Sequence, residues 1–194
     1  VGTPPMTVDF ALRLASAAGR VLAPQGGTVL IGKDTRVSGY MFESALEAGF
    51  VASGVDVLLT GPLPTPAIAM LTKKLGADFG IVISASHNPY PDNGIKFFDA
   101  EGEKLSDDVE PAIEAQLDSP PVTRESRALG QATTASAARD DYVDFCKATI
   151  PEGMGFEDFK TVHDASHGAA YKVAPRVMSE LGADVVPVGC SPNG

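Results

Sequence analysis

Positive charge, cysteine and long apolar runs are all scarce in this sequence. Of its 194 residues, 15 are Lys or Arg and 25 are Asp or Glu, so the net charge is −10. An acidic chain repels the phosphate backbone of nucleic acids, and we expect no nucleic-acid partner. No apolar stretch approaches the roughly 18 residues that a membrane span needs, and residues 1–5 lack the pattern of a signal peptide. These absences predict a cytoplasmic protein with no membrane partner.

The two cysteines, Cys146 and Cys190, are far apart in the sequence. Such a pair fits neither a disulfide framework nor a zinc ligand set, so we expect two buried free thiols. The chain has 44% hydrophobic and 21% charged residues, which is typical of a folded globular protein. At about 150 residues per domain, its length predicts one large domain, or one domain and part of a second.

Strands and helices alternate through the first half of the chain. Apolar spacing predicts helices near residues 8–22, 41–52 and 67–75, with Thr7, Gly54 and Gly76 at helix ends. Short apolar strands are predicted at 28–32, 55–59, 79–83 and, after an Asn-Gly turn, 95–98. This alternation predicts parallel βαβ units, and hence an α/β fold of three-layer αβα domains with a mixed, largely parallel sheet.

The second half of the chain contains a polar segment and a weak internal repeat. Residues 118–138 have few large apolar side chains, and we expect the loosest connection there, followed by a helix near 139–149. The strand ending in Asp34 and the helix after it are echoed by a strand ending in Asp164 and a second helix. We therefore predict one domain over 1–150 and the beginning of another over 151–194.

A run of turn residues follows the strand at 79–83. It contains Ser86, His87 and Asn88, and Lys96 follows ten residues after the serine. Open α/β sheets place active sites beyond the carboxyl ends of their strands, and these side chains can donate hydrogen bonds to a phosphate. The spacing alone equally allows that Ser86 and Asn88 satisfy a tight turn and that Lys96 is a solvated strand residue.

The full sequence of this segment is more specific than the spacing of its polar residues. Ile83-Ser84-Ala85-Ser86-His87-Asn88-Pro89, continuing to Asp92-Asn93-Gly94-Ile95-Lys96-Phe97-Phe98, resembles the active-site loop of the α-D-phosphohexomutase family. It is most similar to the bacterial phosphoglucosamine mutase branch, and the upstream strand and turn Ile31-Gly32-Lys33-Asp34-Thr35-Arg36 resembles the family as well. The resemblance covers all 194 residues, as the first domain and the start of the second in a four-domain family.

The resemblance implies a role for each of five residues. Ser86 would carry the phosphoryl group, His87 would lie beside it, and Lys96 would act on the reacting hydroxyl as general acid or base, or contact its phosphate. Asn88 and Arg36 would bind phosphate. One Mg²⁺ would be held by Ser86 through its phosphate and by an Asp-rich loop that this sequence lacks.

The implied reaction interconverts glucosamine 6-phosphate and glucosamine 1-phosphate through a bisphosphorylated sugar, and so feeds UDP-N-acetylglucosamine and cell-wall synthesis. The expected partners are the phosphosugar, a hexose bisphosphate activator and a second copy of the chain in a homodimer. We expect these 194 residues alone to be inactive. Two alternatives stay open: a phosphoglucomutase or phosphomannomutase, and a module that binds sugar phosphates without catalysis. A Ser-His hydrolase is disfavoured, because no Gly-x-Ser-x-Gly elbow surrounds Ser86.

A second Ser-His pair, Ser166-His167, lacks the Asn-Pro that follows the first. We expect Ser166 to be an ordinary helix N-cap, away from the chemistry. His163 and His167 have the spacing of helical zinc ligands, but no third ligand is apparent, and we do not predict a zinc site.

Overall fold

The computed structural model describes residues 1–193. Its helices are α1 (Val8–Leu22), α2 (Val37–Ala52), α3 (Thr65–Lys74), α4 (Val109–Glu114), α5 (Ala138–Ala148) and α6 (Val173–Glu180). Its strands are β1 (Gly27–Lys33), β2 (Val55–Pro62), β3 (Phe79–Ile83), β4 (Ile95–Asp99), β5 (Ala132–Thr134), β6 (Lys160–Asp164) and β7 (Asp184–Val188).

Five strands form the main sheet, in the order β4-β3-β1-β2-β5. Strand β1 pairs in parallel with both β2 and β3, and β5 pairs in parallel with β2. Strand β4 returns antiparallel to β3, as in a hairpin. The predicted mixed, largely parallel sheet is confirmed.

The central strands β1 and β3 of this sheet bury both of their faces. Because side chains alternate along a strand, Val29 and Ile31 of β1 point to one face and Leu30 points to the other. Helices α1 and α2 cover the first face, whereas α3 and α5 cover the second. The result is the predicted three-layer αβα arrangement, with an apolar core on each side of the sheet.

Two glycines let α3 lie close to its face of the sheet. A Cβ at Gly80 would lie 2.1 Å from Thr72 Oγ1, and a Cβ at Gly32 would lie 2.2 Å from Ile68 Cδ1. Thr72 and Ile68 are both fully buried on α3, so neither can move aside cheaply. The two glycines therefore set the distance between α3 and the strands that lead to the proposed site.

The ends of the first helices follow the sequence signals. The Phe10 N–H donates to Thr7 Oγ1 at 3.2 Å, which confirms the predicted cap of α1. Gly54 and Gly76 have φ of +80° and +66°, the left-handed conformation in which glycine ends a helix. Helix α3 begins at Thr65, two residues earlier than predicted, because Pro66 fits the first turn of a helix.

The segment 118–138, predicted as the loosest connection, is exposed over most of its length but makes long-range contacts. It contributes β5 to the sheet, and some of its backbone N–H groups donate to the first two helices. The Val122 N–H donates to Ser16 Oγ at 3.2 Å, and the Arg124 N–H donates to the Ala52 carbonyl at 2.9 Å. These partners are distant in the sequence, so a local reading of polarity could not find them.

Strands β6 and β7 form a separate parallel pair, joined through α6. The internal repeat is visible at both strand ends: Asp34 Oδ1 accepts from the Arg36 N–H at 3.0 Å, and Asp164 Oδ1 accepts from the Ser166 N–H at 2.8 Å. The same side-chain turn therefore follows β1 and β6. In the first copy α2 follows this turn at once, whereas in the second copy α6 begins only at Val173.

Ion pairs join this second unit to the main sheet through α5. Glu180 of α6 accepts hydrogen bonds from Lys147 of α5 and from Arg176 of α6, and Arg176 also contacts Asp140 of α5. The hydrogen bonds from Lys147 and Arg176 lower the pKa of the Glu180 carboxyl. Val173 of α6 is buried in the core that α3 and α5 share. The two sheets are thus linked by charge and by apolar contact.

Both cysteines are free thiols, as predicted, but each is half-buried rather than buried. Cys146 packs at the edge of the core beside Tyr142, and burial together with Cys146 raises the pKa of the Tyr142 phenol to about 12. None of the helices within residues 1–193 has the length and apolar character to cross a membrane.

Candidate active site

The serine loop, residues 84–94, connects β3 to β4 at the carboxyl edge of the main sheet. All five residues of β3 are buried, and the chain becomes exposed from Ser86 onward. The Ser84 N–H donates to the Gly94 carbonyl at 2.8 Å, which closes the base of the loop. The predicted hairpin between these strands is therefore present, with a long loop instead of a two-residue turn at Asn93-Gly94.

Ser86 has a left-handed backbone conformation, with φ of +56°. A residue with a Cβ pays about 1–2 kcal/mol for this conformation, so the surrounding contacts must hold it. The Ser86 N–H donates to Ser84 Oγ at 3.1 Å, and Ser86 Oγ lies 3.4 Å from His87 Nδ1. Ser86 is exposed on the surface of the loop, so its side chain is accessible from the solvent.

Arg36 holds the serine loop through hydrogen bonds from its guanidinium. Its Nη1 donates to the carbonyls of Pro89 and Asp92 at 2.6 and 3.0 Å. Its Nη2 donates to the carbonyls of Ser86 and Asn88, each at 3.0 Å, and its Nε donates to Asp34 Oδ2 at 2.8 Å. The phosphate-binding role predicted for Arg36 would require the guanidinium to release one or more of these bonds.

The other predicted residues are placed in two groups. His87 and Asn88 are exposed beside Ser86, and Asn88 Nδ2 donates to Asp92 Oδ2 at 3.3 Å. Lys96 lies opposite Val82 in the β3–β4 ladder and borders a second, largely apolar groove of about 540 Å³ that also includes Phe10. The structure therefore brings Ser86, His87, Asn88 and Arg36 together, and places Lys96 in the neighbouring groove.

An open cleft of about 660 Å³ lies over the serine loop. Its walls include residues of the loops that follow strands of both sheets, among them Arg36, Ser86, His87, Asn88, Ser166 and His167. Thr65, at the start of α3, borders both this cleft and the groove of Lys96. A phosphorylated monosaccharide is small enough to enter such a cleft.

The expectation that Ser166 is a helix N-cap away from the chemistry is wrong. Ser166 and His167 have φ of +48° and +56°, and α6 begins only at Val173. The turn exists because Asp164 accepts from the Ser166 N–H, and Thr35 Oγ1 donates to the His167 carbonyl at 2.6 Å. The second Ser-His pair therefore lines the same cleft as the first.

Three residues that support the loop were not among the predicted site residues. Ser84 and Asn93 are 6% and 9% exposed, and Asn93 Nδ2 donates to Ser38 Oγ at 3.0 Å, which ties the loop to α2. Asp34 orients Arg36. The available signal was the Asp-x-Arg spacing after a buried strand, since an aspartate there often accepts from the N–H two residues on.

A Mg²⁺ site does not form from the described residues alone. Residues 1–193 contain no group of three or more His, Cys, Asp or Glu side chains placed to share a metal ion. Both carboxylate oxygens of Asp34 accept from Arg36, and Asp92 Oδ2 accepts from Asn88. A phosphoryl group on Ser86 would supply oxygen ligands, but these residues do not complete the coordination shell that Mg²⁺ prefers.

The fold and the serine loop define a phosphohexomutase type of domain, and comparison with known proteins agrees. Residues 1–122 match the family model described as phosphoglucomutase/phosphomannomutase, alpha/beta/alpha domain I. The chain belongs to this family.

Relatives with high identity carry a narrower name. The chain is 61% identical to the phosphoglucosamine mutase of Thioalkalivibrio sulfidiphilus and 60% identical to that of Pasteurella multocida. Each alignment covers the whole chain, but only 43% and 44% of the relative, so the chain spans less than half the length of these proteins.

A solved structure supports the fold. The crystal structure of a phosphoglucomutase/phosphomannomutase family protein from Burkholderia thailandensis superimposes with a TM-score of 0.79 at 28% identity. The superposition covers 98% of this chain and 42% of that one. It includes β6, α6 and β7, so the arrangement of both sheets recurs in a relative.

Proposed function

We propose that this chain is the serine-bearing part of a phosphoglucosamine mutase. The observation that carries the proposal is Ser86 itself, exposed in an open cleft and held in a left-handed conformation by its surroundings. The specific substrate is supported by the relatives at 57–61% identity, which carry that name.

The reaction moves one phosphoryl group out and another back. The phosphoryl group on Ser86 Oγ passes to a hydroxyl of the monophosphorylated sugar: the Oγ–P bond breaks, a sugar O–P bond forms, and the proton of the hydroxyl ends on Ser86 Oγ. The sugar is then a bisphosphate. After it reorients, its other O–P bond breaks, the phosphoryl group returns to Ser86 Oγ, and the serine proton passes to the sugar oxygen that is released. The product is the isomeric sugar monophosphate, and the enzyme is again phosphorylated.

The neighbours of Ser86 have roles that follow from their positions. His87 lies within 3.4 Å of Ser86 Oγ and either braces the hydroxyl or accepts its proton when the serine is rephosphorylated. Asn88 presents an amide to a phosphate in the cleft. Lys96, from the adjacent groove, contacts the substrate phosphate or the reacting hydroxyl once the sugar is bound. Its positive charge stabilises the negative charge of the transferred phosphoryl group.

The remaining parts of the proposal concern regions and partners outside these contacts. Residues 1–150 form the first domain, and 151–194 begin the next. Mg²⁺ serves as the cofactor, with Ser86 contributing through its phosphate and the other ligands coming from outside residues 1–193. A hexose bisphosphate charges the serine, and the enzyme acts in the cytoplasm as a homodimer.

A substrate panel on the protein at its full natural length tests the proposal. With a hexose bisphosphate present, we expect kcat/KM for glucosamine 6-phosphate to exceed that for glucose 6-phosphate and mannose 6-phosphate by about 100-fold, since a neutral hydroxyl cannot replace the charge-assisted hydrogen bonds of an ammonium. The matched control is Ser166→Ala, which retains the loop of Ser86.

Each other outcome selects one of the alternatives. A preference for glucose or mannose phosphates would make the protein a phosphoglucomutase or phosphomannomutase. Binding of sugar phosphates without turnover, and without phosphoryl transfer to Ser86, would leave a binding module.

A further inference from the structure

The guanidinium of Arg36 has no free N–H. Arginine carries five N–H donors in a planar fork, and here one goes to Asp34 while the other four go to backbone carbonyls of the serine loop. The side chain is 11% exposed, so water offers these donors little competition. Arg36 therefore contacts the loop at four points between Ser86 and Asp92.

The contacts act on the part of the loop that has the least support of its own. Within 86–92 the backbone makes only short turn bonds, from the Asn88 N–H to the Ala85 carbonyl and from the Asp92 N–H to the Pro89 carbonyl. The carbonyls of Ser86, Asn88, Pro89 and Asp92 all point towards one guanidinium. One of these carbonyls belongs to Ser86, whose φ is positive. Arg36 therefore stabilises the left-handed conformation of Ser86.

Asp34 fixes the guanidinium in turn. Its Oδ1 accepts from the Arg36 backbone N–H and its Oδ2 accepts from Arg36 Nε, and its side chain is only 12% exposed. Asp34 follows β1, the central strand of the sheet, so the Asp34–Arg36 pair is anchored on a rigid element. A lysine could keep the charge at this position but could not reach four carbonyls, because its three donors radiate from one atom.

We propose that Arg36, oriented by Asp34, is a positioning residue that holds the serine loop in the conformation in which Ser86 accepts and donates its phosphoryl group. The proposal rests on phosphoryl transfer through Ser86. In a phosphate-binding role, the guanidinium would contact the phosphate through its charge. Here its N–H groups donate to the loop backbone, so the reaction depends on the planar geometry of the guanidinium.

The test compares Arg36→Lys and Asp34→Asn with the wild type in the protein at its full natural length. The matched control is Arg127→Lys, since Arg127 pairs with a carboxylate two residues earlier, as Arg36 does, but on an exposed segment. Two quantities are measured: the single-turnover rate of phosphoryl transfer to Ser86 from glucose 1,6-bisphosphate, and amide hydrogen exchange in the peptide spanning 84–94.

We expect Arg36→Lys to slow the transfer by about 100-fold, the size of effect that a misplacement of about 1 Å produces. The bisphosphate concentration at half-maximal rate should stay within about threefold, because the variant keeps a cation and loses only the positioning. Exchange in the 84–94 peptide should become about tenfold faster, with the 27–33 peptide unchanged. Asp34→Asn should change both readouts in the same direction, and Arg127→Lys should change neither.

Two results would overturn the proposal: a transfer rate near that of the wild type, or a slower rate with unchanged protection of the loop, which would assign Arg36 to the phosphate. If Arg36→Lys also exposes the 27–33 peptide, Asp34→Asn decides by the same readouts. A wild-type protein that accepts no phosphoryl group would refute the proposed function, and the exchange data would still decide whether Arg36 orders the loop.

Discussion

Ser86-His87 and Ser166-His167 are the same dipeptide on the border of one cleft, and both serines have left-handed backbone. They differ in what holds them. Ser86 belongs to a long loop whose carbonyls are gathered by Arg36, whereas Ser166 belongs to a short turn held by Asp164 and by the His167 N–H donating to the Gly189 carbonyl. A shared motif and a shared conformation therefore do not make the two serines equivalent.

The surroundings also separate the two serines chemically. Ser86 Oγ lies beside His87 Nδ1, and its loop bears an amide at Asn88. In the part of the chain that the structure describes, the Ser166 hydroxyl makes no hydrogen bond, and only its backbone is engaged. This difference supports the proposal that Ser86 carries the phosphoryl group, whereas Ser166 lines the wall of the cleft.

The largest expected effect comes from removing each hydroxyl in turn. Ser86→Ala should lower the mutase rate by about 10⁴-fold or more, because the group that forms the covalent intermediate is lost. Ser166→Ala should change it by no more than about twofold, as an exposed side chain without partners predicts. Steady-state kinetics on both variants at full natural length make the comparison, and equal losses would show that the two serines share the chemistry.

A smaller effect is expected on stability when each serine becomes glycine. Glycine removes the left-handed penalty of about 1–2 kcal/mol but gains chain entropy in the unfolded state, so Ser166→Gly should raise the free energy of unfolding by about 0.5 kcal/mol. Ser86→Gly should stabilise by a similar amount while activity is lost. Denaturant unfolding measures both, and destabilisation by either change would contradict the backbone assignment.

The smallest effect concerns the ion pairs that join the second unit to α5. Glu180→Gln should speed amide exchange in residues 160–189 more than in 79–94, because Lys147 and Arg176 lose their shared partner. The folded-state pKa of Glu180 is lowered, so its contribution is present above the ordinary carboxyl pKa and disappears as the pH falls through the lowered value. The variant and the wild type should therefore converge in acid, and a difference that persists there would have another cause.

The sequence predicts the elements whose signals are local. The caps at Thr7, Gly54 and Gly76 and the apolar runs of β1, β2 and β3 depend on neighbouring residues, and the structure has them in place. Strand β5 was not predicted because its three exposed residues become a strand only by pairing with β2. The polar segment before it is ordered by partners that are distant in sequence.

The same difference between local sequence signals and long-range contacts applies to the candidate site. The sequence motif of residues 83–98 predicted Ser86 and its neighbours as site residues. The carbonyls that accept hydrogen bonds from Arg36 lie some 50 residues further along the chain, so its contacts could not be predicted locally. The placement of Lys96 depends on the pairing of β4 with β3, and that of Ser166 on a turn that replaced the expected helix start. Tertiary contacts of this kind leave no local pattern to read.

Intact mass spectrometry of the protein at its full natural length, with fragmentation around both Ser-His pairs, tests the central claim most directly. After incubation with glucose 1,6-bisphosphate we expect one phosphoryl group, located on Ser86 and removed again by excess sugar monophosphate. A protein that stays unmodified at Ser86, or that carries the group on Ser166, would contradict the account.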